Sequence, residues 1–592
     1  MKPPHLHYIG LLCPLLATSS LYAANRTWDG GGTGDVWSSN QNWNGNSALA
    51  TGDTLVFAGT IKLSNTNDLI NFSFPTITFD ATAGAFILGG NSFTLTGNIA
   101  NNSVNLQTIS NSITLSNATH AINTASGNIA LSGILSGAGA ALTKSGTSTL
   151  ILSSGNTYTG ATTISAGVLQ LGNGGTTGSL STSSSITNNA SLTINRSNTV
   201  TQGTDFTSAA ITGTGSFTQA GSGTTILTAA NSYTGITTIS AGILQLGDGG
   251  TTGSLSASSA ITNNANLTIN RSNNVTQGTD FGSAAISGTG SFIQAGSGTT
   301  TLTAANSYTG VTTISAGFLQ LGNGGTTGSL SASSTITNNA NLTINRSNTV
   351  TQGTDFSSAA ITGTGSFTQS GSGTTILTAA NSYSGSTTVN AGNLSVNGTL
   401  ANTSNVNVLG GTLGGTGSIG GATTIGGNGT LSAGNSPGVL TFTNNLNLTQ
   451  EVSGDGGSLA YFEIGGTTRG SEYDGVDVGG TLTYGGTLEI VSFNGYDLTD
   501  VATFTNPVTV FDLFGVPGVP NDPSFAGNLN HVSVGGHALS SAGGGIWTGS
   551  NDDESVTYTF DQTTGDLTIV PEPVASLLGG LGLLILLRRR RN

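Results

Sequence analysis

Between residues 25 and 570, apolar and polar residues alternate over short stretches of the chain. Leu169 and Leu171 flank Gln170, and Leu192 and Ile194 flank a threonine in the same way. A period of two, rich in threonine and β-branched residues, is typical of strands with one buried face. Glycine- and asparagine-rich segments such as 172–175 separate these stretches and indicate turns. No apolar pattern of helical period reaches a useful length here, so the sequence predicts an all-β fold.

The alternating pattern is itself repeated along the chain. The segment Asn156-Thr157-Tyr158-Thr159-Gly160 recurs in closely similar form at 231–235, 306–310 and 381–385. The period is 75 residues, which gives repeats at 156–230, 231–305 and 306–380 and a partial copy from 381. A fixed period of this kind indicates units that stack on their neighbours in a quasi-one-dimensional architecture.

These features predict a right-handed parallel β-helix, a solenoid in which each coil lies on the one before it. With about 20 to 25 residues per coil, a 75-residue repeat makes about three coils stacked at roughly 4.8 Å. The alternative fold is a chain of β-sandwiches with one sandwich per repeat. The glycine-rich, short strands favour coils.

Comparing the copies predicts which side chains face the core. Leucine is kept at one position in all four copies, while the residue before it is isoleucine or threonine, so we expect leucine inside and its neighbour outside. The leucines are Leu152, Leu227, Leu302 and Leu377. Val168, Ile243 and Phe318 differ in volume but stay apolar, and we expect a core that tolerates repacking at this position.

The same residues resemble a known family. Gly146 to Leu169 has the pattern G-x-S-x-L-x-L, then N-x-Y-x-G-x-T-x-I, then G-x-L. This is similar to the autotransporter-associated β-strand repeat of bacterial passenger domains, with matches at about 144–171, 219–246, 294–321 and 369–396. The resemblance implies a β-helical surface protein. The C-terminus lacks the amphipathic strands of an outer-membrane barrel, which leaves open a separate barrel partner.

The N-terminus has the pattern of a secretory signal peptide, which we assign to residues 1–24. Lys2 gives a positive start, Tyr8 to Ala17 form a short apolar stretch, and Ala23 and Ala24 offer a cleavage point. A buried N-terminal strand is the alternative. The single cysteine, Cys13, lies in this segment, so we expect a mature protein without disulfides.

The C-terminal segment 570–592 has the pattern of a targeting signal. Pro571-Glu572-Pro573 is followed by an apolar run from Val574 to Leu587 and then by four arginines. Fourteen residues of helix cover about 21 Å, short of the ~30 Å hydrocarbon core. The arginines favour the cytoplasmic side of the inner membrane, which predicts a weak, transient anchor with the body exported.

This tail resembles a PEP-CTERM sorting signal of Gram-negative bacteria. The resemblance implies that Pro571, Glu572 and Pro573 are recognition residues, read by a processing enzyme of the exosortase type. It places the protein in the outer envelope, on the cell surface or in the extracellular matrix. An ordinary C-terminal membrane anchor is the alternative.

Two further regions flank the predicted solenoid at 91–450. Residues 25–90 contain three of the four tryptophans, and we interpret this segment as an N-terminal cap that covers the open solenoid end. A site that stacks sugars on exposed tryptophans is the alternative. Residues 451–569 form an acidic, β-rich region with the potential to close the far end.

Charge is distributed very unevenly. The net charge is −14; residues 90–450 carry four acids and four bases, and residues 451–566 carry sixteen acids against one arginine. Binding of nucleic acid needs a basic footprint, which is absent. Two acidic clusters raise the question of calcium: Glu472, Asp474 and Asp477, and Asp552, Asp553 and Glu554. Neither follows an EF-hand spacing, so we expect solvated acidic faces and no cofactor.

The sequence favours an exported, non-enzymatic protein, structural or adhesin-like, with extracellular polysaccharide as a candidate ligand. The alternative is a secreted β-helix enzyme that cleaves polysaccharide, which would need two carboxylates about 5 to 9.5 Å apart. Each repeat offers one regular aspartate, at Asp205, Asp280 and Asp355, separated from the next by several coils. Enzyme activity would therefore depend on the acidic region, with Glu472 and Asp474 as candidates.

Overall fold

The computed structural model describes residues 23–450, 457–515 and 524–572. The predicted signal peptide lies outside the described residues except for its last two positions, and the sorting tail lies outside from Pro573 onward. The chain divides into two compact units, the first reaching residue 173 and including 177–190, the second formed by 174–176 and the chain from 191. The regular secondary structure of the described residues is strand, apart from one-turn 3-10 helices at Asn40–Asn42, Asn44–Asn46 and Val501–Thr503.

The first unit contains sixteen of the described strands. They are β1 Asn25–Trp28, β2 Thr54–Phe57, β3 Ser64–Asn67, β4 Ser73–Phe79, β5 Ile87–Gly90, β6 Phe93–Asn101, β7 Gln107–Ile109, β8 Ile113–Leu115, β9 Thr119–Thr124, β10 Ile129–Leu131, β11 Leu135–Ser136, β12 Ala141–Ser145, β13 Thr149–Leu152, β14 Thr162–Ile164, β15 Val168–Leu171 and β16 Ile186–Asn188.

These strands stack in parallel on separate faces. One sheet has the order β1-β2-β4-β6-β9-β12-β14-β16, and another contains β3-β5-β7-β10-β13-β15. The pairing is in parallel register, for example Leu142 opposite Thr162 and Leu150 opposite Leu169. The strands of one sheet are therefore consecutive visits of the chain to the same face, as in a solenoid.

The second unit begins with the strands of the sequence repeats. They are β17 Ser191–Ile194, β18 Val200–Thr201, β19 Ser216–Gln219, β20 Thr224–Leu227, β21 Thr237–Ile239, β22 Ile243–Leu246, β23 Ile261–Asn263, β24 Asn266–Ile269, β25 Val275–Thr276, β26 Ser291–Gln294, β27 Thr299–Leu302, β28 Thr312–Ile314, β29 Phe318–Leu321, β30 Ile336–Asn338, β31 Asn341–Ile344, β32 Val350–Thr351, β33 Ser366–Gln369, β34 Thr374–Leu377, β35 Ala380–Asn381, β36 Thr387–Val389 and β37 Asn393–Val396.

The later strands of this unit follow the repeats. They are β38 Thr399–Leu400, β39 Val406–Gly414, β40 Ser418–Ile419, β41 Thr423–Ser432, β42 Val439–Phe442, β43 Leu446–Leu448, β44 Leu459–Ile464, β45 Gly475–Val478, β46 Thr481–Tyr484, β47 Thr487–Ser492, β48 Thr509–Asp512, β49 Ser524–Gly527, β50 His531–Val534, β51 His537–Ala538, β52 Ser540–Gly543, β53 Ile546–Ser550, β54 Val556–Asp561 and β55 Asp566–Pro571.

Parallel stacking continues through the second unit as far as β50. The sheet β18-β20-β22-β24-β26-β28-β30 is one example, and a long sheet from β25 through β37, β39, β41, β44 and β47 to β50 is another. At the end, β51 pairs with β50 in antiparallel fashion, and an antiparallel sheet of order β48-β55-β54-β53-β52 follows. The predicted all-β parallel solenoid is thus confirmed, and the alternative of a chain of β-sandwiches is wrong.

The core consists of the alternate side chains of each short strand that point inward. Leu152, Leu227, Leu302 and Leu377 are all fully buried, as expected from the copies. The interpretation of Val168, Ile243 and Phe318 as core residues is wrong. They occupy the first, outward position of four-residue strands, and Phe318 is 45% exposed. The leucines at the second and fourth positions, such as Leu319 and Leu321, fill the interior instead.

The repeat does not contain a whole number of coils. Along the sheet from β18 to β30, paired residues are separated by 19 to 25 positions, with a mean near 23. Dividing 75 by 23 gives about 3.3 coils, slightly more than the predicted three. As a result, the equivalent strands β17, β24 and β31 lie in three different sheets. Equivalent side chains of successive repeats therefore point in different directions around the solenoid of the second unit.

Candidate functional site

The regular aspartate of each repeat is part of an ion pair inside the solenoid. In the middle copy, Arg271 donates from Nη1 to Asp280 Oδ1 at 2.9 Å and from Nε to Asn273 Oδ1 at 3.0 Å. Its Nη2 donates to the Thr251 carbonyl, and Asp280 Oδ2 accepts from the Thr276 amide. The first and third copies repeat this pairing with Arg196–Asp205 and Arg346–Asp355. These aspartates, weighed above as catalytic acids, therefore hold an arginine whose Nη2 reaches the neighbouring coil.

The asparagine of the recurring N-x-Y-x-G motif also joins coils. Asn306 Oδ1 accepts from the Ile286 amide and from Gln277 Nε2, both at 2.9 Å, and Asn306 Nδ2 donates to the Ala304 carbonyl. Asn306, Gln277 and Ile286 are buried, so the pairing satisfies polar atoms that would otherwise be costly to enclose.

The tyrosine of the motif is the start of a buried hydroxyl chain. Tyr308 Oη lies 2.7 Å from Thr312 Oγ1, which lies 2.8 Å from Ser334 Oγ, and Ser334 donates to the Gly310 carbonyl. Burial raises the pKa of Tyr308 above its ordinary value, although the hydroxyl partners lower it. The phenol is therefore a neutral structural group, and the motif encodes coil stacking.

The first copy of the repeat has a lysine at a buried position where the later copies have glutamine. Lys144 is buried, donates from Nζ to the carbonyls of Ser145, Gly146 and Ala166, and has its pKa lowered to about 8 by burial. The equivalent residue in the third copy is Gln294, whose Oε1 accepts from Thr300 at 2.6 Å. The position of that threonine is Leu150 in the first copy, which has no hydroxyl to offer.

We expect Lys144→Gln alone to destabilise the first unit by about 1 to 3 kcal/mol, since Leu150 leaves the new amide oxygen without a donor. Adding Leu150→Thr supplies the donor seen in the other copies, so the double variant should recover most of the loss. Urea denaturation of the two single variants and the double variant measures the coupling as a double-mutant cycle. A double variant no more stable than Lys144→Gln would contradict the explanation.

The acidic cluster at 472–477 does not form a common site. Asp474 is buried and accepts from the amides of Gly438 and Glu463 at 2.9 Å. Glu472 is exposed and accepts from the Thr467 and Thr468 amides, and Asp477 pairs with Arg469 at 2.8 Å. The expectation of a solvated acidic face is wrong for Asp474, because a neighbouring loop encloses it.

The second acidic cluster, at 552–554, is closer to the expected solvated acidic face. Asp552 is almost fully exposed and lies 3.3 Å from His537 Nδ1, while Asp553 accepts from the Ser555 amide. Among the residues that the structure describes, no group of three or more histidine, cysteine, aspartate or glutamate side chains is arranged to hold a metal ion.

Asp474 should give the second unit a specific pH dependence. Burial raises its pKa to about 7, against the two amide donors that lower it. Because the folded state binds this proton more tightly than the unfolded state, the contribution of Asp474 to the free energy of unfolding is complete below the unfolded pKa near 4. This contribution declines as the pH rises to 7, by up to about 4 kcal/mol. Denaturation midpoints of the native protein and of Asp474→Asn, compared from pH 4 to pH 8, should diverge over this window. A constant difference would contradict the assignment.

The tryptophans of residues 25–90 lie inside the first unit. Trp28, Trp37 and Trp43 are buried, and Trp43 meets the other two edge-on at centroid distances of 5.2 and 6.2 Å. Phe57 packs against all three. Their faces are covered by one another, so the alternative of an exposed sugar-stacking site is wrong for these rings.

The predicted sorting residues begin where the last strand ends. Pro571 is the final residue of β55, opposite Val556, and Glu572 donates its amide to the Ser555 carbonyl at 2.7 Å. The Glu572 side chain is exposed. Pro573 lies outside the described residues. None of the helices in the described part of the chain is long and apolar enough to cross a membrane.

A groove on the outward face of the second unit is the candidate binding site. We call it the C-terminal groove, a cavity of about 230 Å³ bordered by Ser395, Thr412, Gly414, Ser432, Asn435 and Ser436. Sequence patterns did not identify it, because its floor comes from three strands that belong to successive coils. Its one visible signal was the turn-forming segment 435–438.

Comparisons with known proteins agree with the repeat structure. Four segments, at 142–171, 217–246, 292–321 and 367–396, match the family model of the passenger-associated-transport-repeat. An alignment of 160 positions is 35% identical to the adhesin BmaC autotransporter of Brucella suis biovar 1 (strain 1330). It covers 22% of this chain and 5% of the adhesin, so the chain spans only a small part of its relative.

Proposed function

We propose that this chain is an exported, non-enzymatic surface or extracellular β-solenoid with a structural or adhesin-like role. The observation that carries the proposal is the match of four segments to an autotransporter-associated repeat within a parallel solenoid. The similarity to an autotransporter adhesin supports the same class.

The contacts of the acidic residues favour this function over polysaccharide cleavage. The repeat aspartates are paired with arginines, and Asp474 is buried and accepts a hydrogen bond from the Gly438 amide. Glu472 accepts hydrogen bonds from amides of its own loop. A hydrolytic pair needs an accessible acid and a second carboxylate across the scissile bond. The described contacts of these residues are structural ones, so we propose no enzymatic role.

A deletion strain tests the adhesive role. Cells lacking the protein should attach less to surfaces or to one another than the parent, and complementation with the native chain should restore attachment. A doubly substituted Glu472→Gln and Asp474→Asn chain should restore it as well, provided that the protein accumulates normally. Full attachment by the deletion strain would contradict the adhesive role.

We further propose that the tail from residue 570 is a PEP-CTERM sorting signal, removed by an exosortase-type enzyme after transient anchoring in the inner membrane. Glu572 suits a test because its side chain is exposed, whereas its contact with the fold is made by its backbone amide, which donates to the Ser555 carbonyl. Mass spectrometry should find the native mature chain ending near Pro573 and the Glu572→Ala chain retaining its tail. Glu554→Ala, an exposed acid nearby, is the control. A native chain with its tail intact would overturn this assignment.

A further inference from the structure

We propose that the C-terminal groove and the adjoining outward sheet face bind a neutral polysaccharide. This inference rests on the proposed function, since it gives an adhesin-like surface its ligand class. The face belongs to β37, β39, β41, β44 and β47, which are successive parallel strands of one sheet in the second unit.

One row of outward residues crosses these strands. Ser395 lies opposite Gly414, Ser432 lies opposite Tyr461, and Tyr461 lies opposite Glu489. Neighbours in such a row are about 4.8 Å apart, the spacing of paired strands. The row therefore presents a hydroxyl, a bare glycine, a second hydroxyl, a phenol ring and a carboxylate over roughly 19 Å. Regularly spaced polar groups along a shallow track suit an extended chain molecule.

The glycine of this row forms the floor of the groove. A Cβ atom at Gly414 would lie 2.4 Å from the Ser432 carbonyl oxygen, so the strands approach each other too closely there to admit a side chain. The wall is the loop after β41, and it is fixed at two points. Ser395 Oγ donates to Asn435 Oδ1 at 3.0 Å, and Ser436 Oγ donates to the Glu463 carboxylate. A groove held in this way costs little ordering when a ligand binds.

The chemistry of the lining selects the ligand class. The residues that border the groove are serine, threonine, asparagine, glycine, alanine and leucine, without a charged side chain. Hydroxyl and amide groups match the hydroxyls of a sugar, and the half-buried Tyr461 ring adds an apolar face beside them.

Charge at the edge of the face favours a neutral over an acidic glycan. Glu463 and Glu489 are outward neighbours of Tyr461, and the pKa of its phenol is raised by burial and, to a smaller extent, by these carboxylates. Between Ser395 and Ser492 the one basic residue of the chain is Arg469, which is paired with Asp477 at 2.8 Å and Asp512 at 3.7 Å. A polyuronate would meet like charge, whereas a neutral chain can donate its hydroxyls to both carboxylates.

The test uses the full exported chain and four probes: amylose, dextran and mannan as neutral glycans, and alginate as the acidic one. The native protein should bind at least one neutral glycan at least about ten-fold more tightly than alginate. Tyr461→Ala should weaken that binding about ten-fold, as expected for loss of a ring contact. Phe318→Ala is the matched control, because it removes an exposed aromatic from an outward strand position well away from the groove.

Several outcomes would overturn the inference. They are stronger binding of alginate, equal losses for Tyr461→Ala and Phe318→Ala, and no binding of any neutral probe. Circular dichroism and melting temperatures of the variants separate lost binding from lost folding. A paired Glu463→Gln and Glu489→Gln chain gives a second readout, since the ratio of its affinity for alginate to its affinity for the neutral glycan should be higher than that of the native chain. Attachment of the deletion strain reports on the proposed function independently of these results.

Discussion

Replacing Gly310 with alanine is expected to destabilise the stacked coils of the second unit by about 3 kcal/mol. An added Cβ would lie 2.3 Å from the carbonyl oxygen and 2.4 Å from the carbonyl carbon of Gly290 in the preceding coil. Both obstacles are backbone atoms, so relief requires the two coils to separate. Urea denaturation of the purified chain measures the loss.

Gly325→Ala is the matched control for this prediction. Its added Cβ has its nearest neighbour at 3.7 Å, the side chain of Asn323, so a change within about 1 kcal/mol is expected. Equal stability of the two variants would contradict the close approach of the coils. The same contact explains the final glycine of the recurring motif, since Gly160, Gly235 and Gly385 approach the preceding coil as closely.

Breaking one internal ion pair should cost nearly as much. Asp280→Ala leaves the Arg271 guanidinium, whose side chain is 6% exposed, without its carboxylate, and a loss of about 3 kcal/mol is expected. Most of the loss should persist at high salt, because a partly buried pair is screened less than an exposed one. Thermal and urea denaturation at two salt concentrations measure both effects.

Asp248→Asn is the control in the same repeat. Asp248 is exposed, and the equivalent residues in the neighbouring copies are Asn173 and Asn323, so no measurable change is expected. If Asp280→Ala proved as harmless as this control, the aspartates would have no role in coil stacking. Their function would then have to be sought at the surface.

The solenoid could be predicted because its rules are local. Alternation of period two, turn glycines and a fixed period appear directly in the sequence, and buried Leu227 and Leu302 followed from comparing copies. The outward position of Phe318 was missed because apolar character alone does not determine which side of a strand a residue occupies. The fractional coil count was missed because coil lengths vary between 19 and 25 residues.

The candidate site was less predictable than the fold. Ser395, Gly414 and Ser432 are brought together by the register of three strands, which is set by loop lengths and not by any motif. Asp474 appeared as one of several acids in sequence, and its burial depends on the loop at Gly438, 36 positions earlier. Chemistry that arises from register in this way becomes visible only once the coils are stacked.

Surface display can be measured directly on intact cells. Protease added to living cells, or an antibody against residues 231–305, should reach the solenoid repeats without permeabilisation, while a cytoplasmic marker stays protected. Detection of the repeats only after lysis, in a chain that still carries its C-terminal arginines, would contradict an exported surface protein.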